Sequence, residues 1–375
     1  MAGVYVHLPF CPYICPYCDF AKRPMRRSEA VRYLRALRAE IAGSPAFSAS
    51  TAFFGGGTPN TYEPEEIATL VHAIRARFAL PEGAEFSIEV NPDLALCEGF
   101  PTYRRAGATR LSIGVQSFTQ SEARTLGRMH DAQDVSEVVR RARRAGFENL
   151  SLDLIFAVPG QTVATWRRSL EAAMALGADH ISAYGLTVET GTPYAAWQAR
   201  EPHAFASDDL EADMYAEAIA VLRSGGYEQY EISNFAKPGF ACEHNRGYWN
   251  NDSYLGLGAG AASYTDGVRR THTREFAAYC AAAQAGLPIP GQSESLQGAQ
   301  ALGEATMLAL RRVEGVDTAD FALRYGVDFS AFYKPVIAEM LAAGCIEAQA
   351  GRVRLTERGR FVANTVCSAF MPPAP

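Results

Sequence analysis

The chain has 375 residues, 48% of them hydrophobic and 20% charged, and 41 acidic against 35 basic side chains give a formal charge of −6. Hydrophobic content near half excludes intrinsic disorder, no apolar run approaches the ~20 residues of a membrane-spanning helix, and net acidity works against nucleic-acid binding, which needs a concentrated basic face. Met1-Ala2-Gly3 leads straight into a strand with no secretory signal pattern, so a cytoplasmic setting is expected, in which the eight cysteines stay reduced and serve packing, metal or redox roles.

To about residue 190, short β-branched or aromatic runs alternate with amphipathic helical stretches. Strands are expected over Val4–Leu8, Ala52–Phe54, Phe86–Val90, Leu111–Val115, Leu150–Ile155 and His180–Tyr184. The second helix opens at Glu63-Pro64-Glu65-Glu66, with proline in its first turn and carboxylates at the positive end of its dipole. This alternation predicts an α/β fold of parallel strands with right-handed crossovers, either doubly wound or a full or partial barrel, a partial (β/α)6 one for the six units counted, and puts the chemistry at the carboxyl ends of the strands. Arg140-Arg141 and Arg143-Arg144 read as a solvated helix face. A later helix starts at Ser207-Asp208-Asp209 and ends at Gly225-Gly226. A division into residues 1–290 and 291–375 is expected, the second part holding helices around Ala299–Arg312 and Phe329–Ala343. A hairpin across Gly351 then makes that part similar to a winged helix, and Pro372-Pro373-Ala374-Pro375 closes the chain as a frayed tail.

Three of the eight cysteines fall in Cys11-Pro12-Tyr13-Ile14-Cys15-Pro16-Tyr17-Cys18, directly after the first strand, while Cys97, Cys242, Cys280, Cys345 and Cys367 are scattered. Three chemistries compete for the cluster. Zinc asks for four ligands and would recruit His7 or a distant residue. A dithiol pair would use Cys15 and Cys18 and leave Cys11 idle. An iron–sulfur cluster on three thiolates leaves one iron for an outside ligand. At the end of the second strand, Gly55-Gly56-Gly57-Thr58-Pro59 is a turn whose glycines let main chain approach a ligand closely.

C-x-x-x-C-x-x-C after the first strand resembles the signature of the radical S-adenosylmethionine (SAM) superfamily. Tyr5-Val6-His7-Leu8-Pro9-Phe10-Cys11, Phe54-Gly55-Gly56-Gly57-Thr58-Pro59, Ile88-Glu89-Val90-Asn91-Pro92, Gly114-Val115-Gln116-Ser117-Phe118, Leu126-Gly127-Arg128-Met129-His130 and Asp153-Leu154-Ile155 resemble the coproporphyrinogen dehydrogenase (HemN) family. Leu355-Thr356-Glu357-Arg358-Gly359 and Asn364 extend the resemblance into the last module. It implies a [4Fe-4S] cluster on Cys11, Cys15 and Cys18 with Tyr17 beside it. It also implies SAM contacts from Tyr5, Gly56, Gly57, Thr58, Glu89, Gln116, Arg128 and Asp153, with Gly185 and Ala262 as weaker matches. Plainer readings stand beside these: Glu89 paired with Arg128 inside a barrel, Asp153 capping a helix, and His7 and His130 as structural groups.

Phe20, in Cys18-Asp19-Phe20, stands where the dehydrogenases resemble one another in a further cysteine, and only Met1–Val4 precede Tyr5 where they carry an extension. Both departures are shared with the sister HemW group of haem chaperones, which the chain resembles in its C-P-Y-C-D-F segment. Cys242-Glu243-His244-Asn245-Arg246-Gly247-Tyr248-Trp249 resembles the H-N-x-x-Y-W motif associated with haem in that group. His244 and Cys242 are candidate axial ligands and Tyr248 and Trp249 candidate porphyrin faces, the alternative being a hydrogen-bonded loop that covers the barrel mouth. The resemblance implies binding of haem and its delivery to acceptor haemoproteins, membrane-associated ones among them, by a monomer or a haem-linked dimer. The alternatives are a radical enzyme acting on a porphyrin or another tetrapyrrole, for which Phe20 counts against dehydrogenase activity, and a zinc-stabilised structural protein.

Overall fold

Val4, Val6 and Leu8 alternate with Tyr5 and His7 along the first strand; the aliphatic set is buried in the main core, and Tyr5 and His7 line a cavity on the other face. The same alternation runs through the next strands, with Phe86, Ile88, Leu111, Ile113, Leu150 and Leu152 in the core and Glu89, Ser112 and Asp153 facing the lumen. In the computed structural model, which describes residues 2–372, these become β1 (Gly3–Leu8), β2 (Thr51–Gly56), β3 (Glu85–Val90), β4 (Arg110–Gln116), β5 (Asn149–Phe156) and β6 (His180–Gly185). Met1 and Pro373-Ala374-Pro375 of the proline-rich tail lie outside the described residues.

All neighbouring pairs from β1 to β6 are parallel. The register steps sideways twice, with Ser87 opposite Arg110 and Ser151 opposite His180, which is the shear that curls a sheet towards a barrel. The barrel is partial, because β1 and β6 pair outward. β1 takes Tyr254–Leu257 as a further parallel neighbour, and β6 takes Asn234–Ala236 antiparallel. Among the described residues the sheet counts 12 strands. Its far edge is Gly291–Ser295, paired with Val268–His272, so the sheet runs past residue 290, where the sequence reading divides the chain.

The helices outside the strands follow their sequence signals. Arg27–Gly43 buries Ala30, Tyr33, Leu34, Leu37 and Ile41, a single apolar stripe. Pro64–Arg77 starts with the expected proline and a capping box between Glu63 and Glu66. Ser207 caps Asp208–Ser224 through its hydroxyl. The arginine run lies on Ala132–Arg144, where Glu137 pairs with Arg140, Arg141 and Arg144; Arg143 departs from the solvated face and reaches Asp179 at 2.7 Å.

A second core, including Leu310, Val316, Phe321, Phe329, Ile346, Val353, Leu355 and Phe370, sits in the last module. Its three-stranded sheet adds Val316–Asp317 to the expected hairpin of Ile346–Gln349 and Arg352–Leu355. The helix expected over Phe329–Ala343 is two pieces, Phe329–Phe332 and Lys334–Ala342. Pro335 has no N–H to continue the first piece and is placed where proline is tolerated, in the first turn of the second.

Trp166 anchors the main core with no exposure, and its indole N–H donates to the Met214 carbonyl at 2.9 Å. Trp166→Ala is expected to cost about 3–5 kcal/mol of unfolding free energy, read from the shift of a urea midpoint; a loss below about 1 kcal/mol would show that the site collapses around the gap.

Candidate functional site

The loop after β1 is pinned at both ends. Phe10–Cys11 pairs with Arg23–Pro24, Arg23 N–H donates to Pro9 O at 2.7 Å and Met25 N–H to Cys11 O at 2.8 Å. Between these ties Cys18 N–H donates to Cys15 O at 3.2 Å, and Lys22 Nζ donates to the Cys18 carbonyl. Cys11, Cys15 and Cys18 are all free thiols, Cys11 buried and the other two half-buried, and all line one cavity of about 670 Å³. Burial pushes the Cys11 thiol up to about 11.

The glycine turn at the end of β2 is docked under this loop, with Gly57 N–H donating to Leu8 O at 3.0 Å and Thr58 N–H to Phe10 O at 2.9 Å. Its glycines are required by the protein itself. Gly56 has φ +97°, and a Cβ there would lie 2.2 Å from the His7 ring; a Cβ on Gly57 would lie 2.5 Å from the Leu8 carbonyl oxygen. Gly56 N–H donates to Glu89 Oε2 at 3.0 Å, so the N–H groups of Gly56, Gly57 and Thr58 are all spent internally.

The remaining expected groups arrive from the other strand ends. Glu89 lies at the end of β3, and burial, reinforced by the Asp153 charge, raises its carboxyl to about 7. Asp153 does not cap a helix: it accepts from Ser112 at 2.9 Å, Ser151 at 3.0 Å and Ser182 at 2.7 Å across three adjacent strands. Gln116 ends β4 with φ +67° beside a register shift, which turns its side chain into the cavity. Arg128 is not paired with Glu89. It donates to Asn91 Oδ1 and to the Tyr17 hydroxyl, both at 3.0 Å, while its buried Nε has no partner among the described residues. Burial holds the Tyr17 phenol up at about 12 against the opposing pull of Arg128. Tyr17, Gly56, Gly57, Thr58, Glu89, Gln116, Arg128, Asp153 and Gly185 thus share the cavity with the three thiols.

Tyr5 and Ala262 lie elsewhere, in a second cavity of about 340 Å³ that shares Phe20, Gly56, Glu89 and Arg274 with the first. His7 cannot serve as a fourth metal ligand as it stands, since Nδ1 bonds the Tyr5 hydroxyl at 3.0 Å and Nε2 bonds Ala21 O at 2.6 Å. His130 likewise bonds the Val115 carbonyl at 3.0 Å. Sequence reasoning missed Asn91, Arg110, Ser112 and Ser182. Asn91 stood inside a quoted motif, and the serines and Arg110 carried one signal only, polarity at alternate positions of otherwise apolar strands.

The segment read as carrying haem ligands or, alternatively, as a loop over the barrel mouth is a helix, Glu243–Trp249, at the opposite end. Glu85 accepts from the N–H of Glu243 at 2.9 Å, the N–H of His244 at 3.0 Å and the Cys242 thiol at 3.3 Å. Glu85 opens β3 and Thr51 opens β2, so the helix closes the amino end of the barrel. His244 is 3% exposed, bonded through Nδ1 to Thr51 Oγ1 at 2.8 Å and through Nε2 to the Tyr248 hydroxyl at 2.8 Å, and stacked on Phe53. Burial lowers His244 to about 3 and raises Cys242 to about 12. Tyr248 lines the smaller cavity, whereas Trp249 sits under the Arg311 guanidinium at 4.9 Å, away from both.

A family model for the radical SAM superfamily matches residues 5–173, and one for the HemN C-terminal domain matches residues 296–362. The chain is 36% identical over 378 residues to the protein named heme chaperone HemW of Bacillus subtilis, with 99% of each chain covered. It is 31% identical to the protein of that name from Escherichia coli, with 98% of each covered. Among solved structures, coproporphyrinogen III oxidase (HemN) from Escherichia coli superposes with a TM-score of 0.84 over 98% of this chain and 89% of that one, and at 24% identity this shows a common fold. With three thiols over the carboxyl end of a partial barrel, a HemN-type last module and full-length relatives above 30% identity, the chain belongs to the HemW family of the radical SAM superfamily.

Proposed function

We propose that the chain is a haem chaperone: it carries a [4Fe-4S] cluster on Cys11, Cys15 and Cys18, binds SAM beside it, and binds haem for delivery to acceptor haemoproteins. The observation that carries this reading is the similarity along essentially the whole chain to proteins named heme chaperone HemW. Superfamily membership implies the cluster and SAM, and the donor set fits them. Among the described residues the cavity is lined by three free thiols and no fourth, which leaves one iron of a cubane for an outside ligand.

When bound, the cluster supplies that open iron for the amino and carboxylate groups of the methionine moiety and a source of one electron. The chain does the rest. Because the N–H groups of Gly56, Gly57 and Thr58 are engaged internally, the turn offers carbonyl oxygens, which suit the ligand's amino group. Arg128, whose side chain lines the cavity, suits its carboxylate. Glu89 and Asp153 are acceptors for ribose hydroxyls, and the three serine donors fix the orientation of Asp153. No helix among the described residues is long and apolar enough to cross a membrane, so a membrane-bound acceptor would be met at its surface.

Anaerobic reconstitution is expected to load about four iron and four sulfide per chain, and Cys15→Ala to lose both; zinc without sulfide would overturn the cluster. Wild-type protein titrated with haem and mixed with an apo-haemoprotein should pass haem on, whereas catalytic formation of protoporphyrinogen from coproporphyrinogen III would overturn the chaperone reading. The raised Glu89 carboxyl also sets a sign. The folded protein keeps its proton up to about 7 while the unfolded chain releases it near 4.5, so stability without ligand falls as pH rises through that window. Urea midpoints at pH 5 and pH 8 should differ less in Glu89→Gln than in wild type; an equal difference would assign the pH dependence to other groups.

A further inference from the structure

The larger cavity reaches deeper than the groups assigned to SAM. Arg110 opens β4 and Gln116 closes it, so the lumen that both line runs about 20 Å along the strand. Asn245 reaches the same cavity from the helix Glu243–Trp249 at the amino end. Arg110 is 1% exposed, yet among the described residues its guanidinium has neither a hydrogen bond nor an ion pair. Its Nε and Nη1 are sealed off, so Nη2 is the nitrogen that meets the cavity. The acids whose charges it feels are committed elsewhere. Glu85 accepts from two N–H groups of the helix and the Cys242 thiol, Asp153 from three serines, and Glu89 from Gly56 N–H. The Asn245 side-chain amide also has no hydrogen-bond partner among the described residues. A buried cation is costly without an anion, and water would satisfy its N–H groups but not its charge. One cation in a lumen that also holds Asp153 suits a monoanion; a phosphate dianion would leave surplus negative charge beside that carboxylate.

We propose that Arg110 and Asn245 form a carboxylate subsite at the amino end of the lumen, beneath the space assigned to SAM, and that its ligand is a small organic monocarboxylate. Arg110 Nη2 supplies a charge-assisted hydrogen bond and the Asn245 amide a neutral one. Phe53 lines the same cavity and offers an apolar wall to the body of the ligand. Ser112 and Ser182 donate to Asp153, so towards a ligand their oxygens are acceptors, which suits a hydroxyl or amino group on the ligand better than its acid. The subsite does not depend on the haem-chaperone reading, because none of these residues is assigned to haem.

The test is thermal unfolding of the full-length, cluster-loaded protein titrated with sodium acetate at constant ionic strength, with sodium chloride and methyl phosphate in parallel arms. Acetate is expected to raise the wild-type midpoint to saturation, since a ligand that binds only the folded chain stabilises it by mass action, while the other two anions leave it in place. Arg110→Met keeps much of the side-chain length without the charge and should weaken acetate at least about tenfold, the size of one charge-assisted contact. Asn245→Ala should weaken it severalfold. Iron and sulfide content reports that each variant is folded. Should Arg110→Met not fold, Arg110→Lys keeps the charge but moves it, and is expected to weaken acetate severalfold; wild-type affinity there would overturn the subsite. So would an equal acetate response in Arg110→Met and wild type, or no response in wild type. A response to chloride or methyl phosphate equal to that for acetate would overturn the carboxylate class. Haem titration reads the chaperone function separately, so failure of either reading leaves the other standing.

Discussion

Two main-chain hydrogen bonds, Gly57 to Leu8 and Thr58 to Phe10, tie the end of β2 beneath the start of the cysteine loop, and the position of every group around the larger cavity depends on them. They form only because the turn has no side chains. A Cβ on Gly56 or Gly57 would strike His7 or the Leu8 carbonyl, and the turn would lift away from β1. The loop then sits directly over the lumen, its far end tied by Arg23 and Met25. Glycine here secures the fit of protein against protein, and the turn's N–H groups are consumed by that fit.

The second constraint is electrostatic. The lumen holds Arg110, Arg128, Glu89 and Asp153, all groups that are costly to bury alone. The fold meets part of that cost with neutral partners: three serine donors for Asp153, a backbone N–H donor for Glu89, and asparagine and tyrosine acceptors for Arg128. What is left unpaired is buried beside the cavity that these side chains line. Arg110 Nε and Nη1 and Arg128 Nε have no protein partner among the described residues, which suits a lumen that is filled by polar ligands or water when the protein works.

The two ends of the barrel have separate tasks. At the carboxyl end the loop and strand ends gather thiols and acceptors. At the amino end Glu85 binds the first N–H groups of the helix Glu243–Trp249 in the way an N-cap residue would, although it comes from a distant strand. That docking points Asn245 into the larger cavity and Tyr248 into the smaller, so one short helix touches both spaces. The last module, with its own core, adds Leu308 to the wall of the smaller one.

The sequence by itself determined the strand positions, the helix starts and the cysteine cluster, because each rests on local chemistry: two-residue alternation, capping residues, or cysteines a few positions apart. It also marked most of the residues around the larger cavity, since strand ends are legible once strands are. Tertiary structure decided what depends on distant contacts. Glu89 bonds Gly56 where a pairing with Arg128 was an option, and Asp153 binds serines on neighbouring strands where a cap was an option. Tyr5 and Ala262 fall in a neighbouring cavity because β1 and the strand Ala262–Thr265 form its wall. Most of all, spacing said that His244 and Tyr248 lie one helical turn apart, but not which of them faces open space. The contacts with Thr51 and Glu85, 193 and 159 residues away from His244 along the chain, turn the histidine inward and leave the tyrosine at the cavity wall.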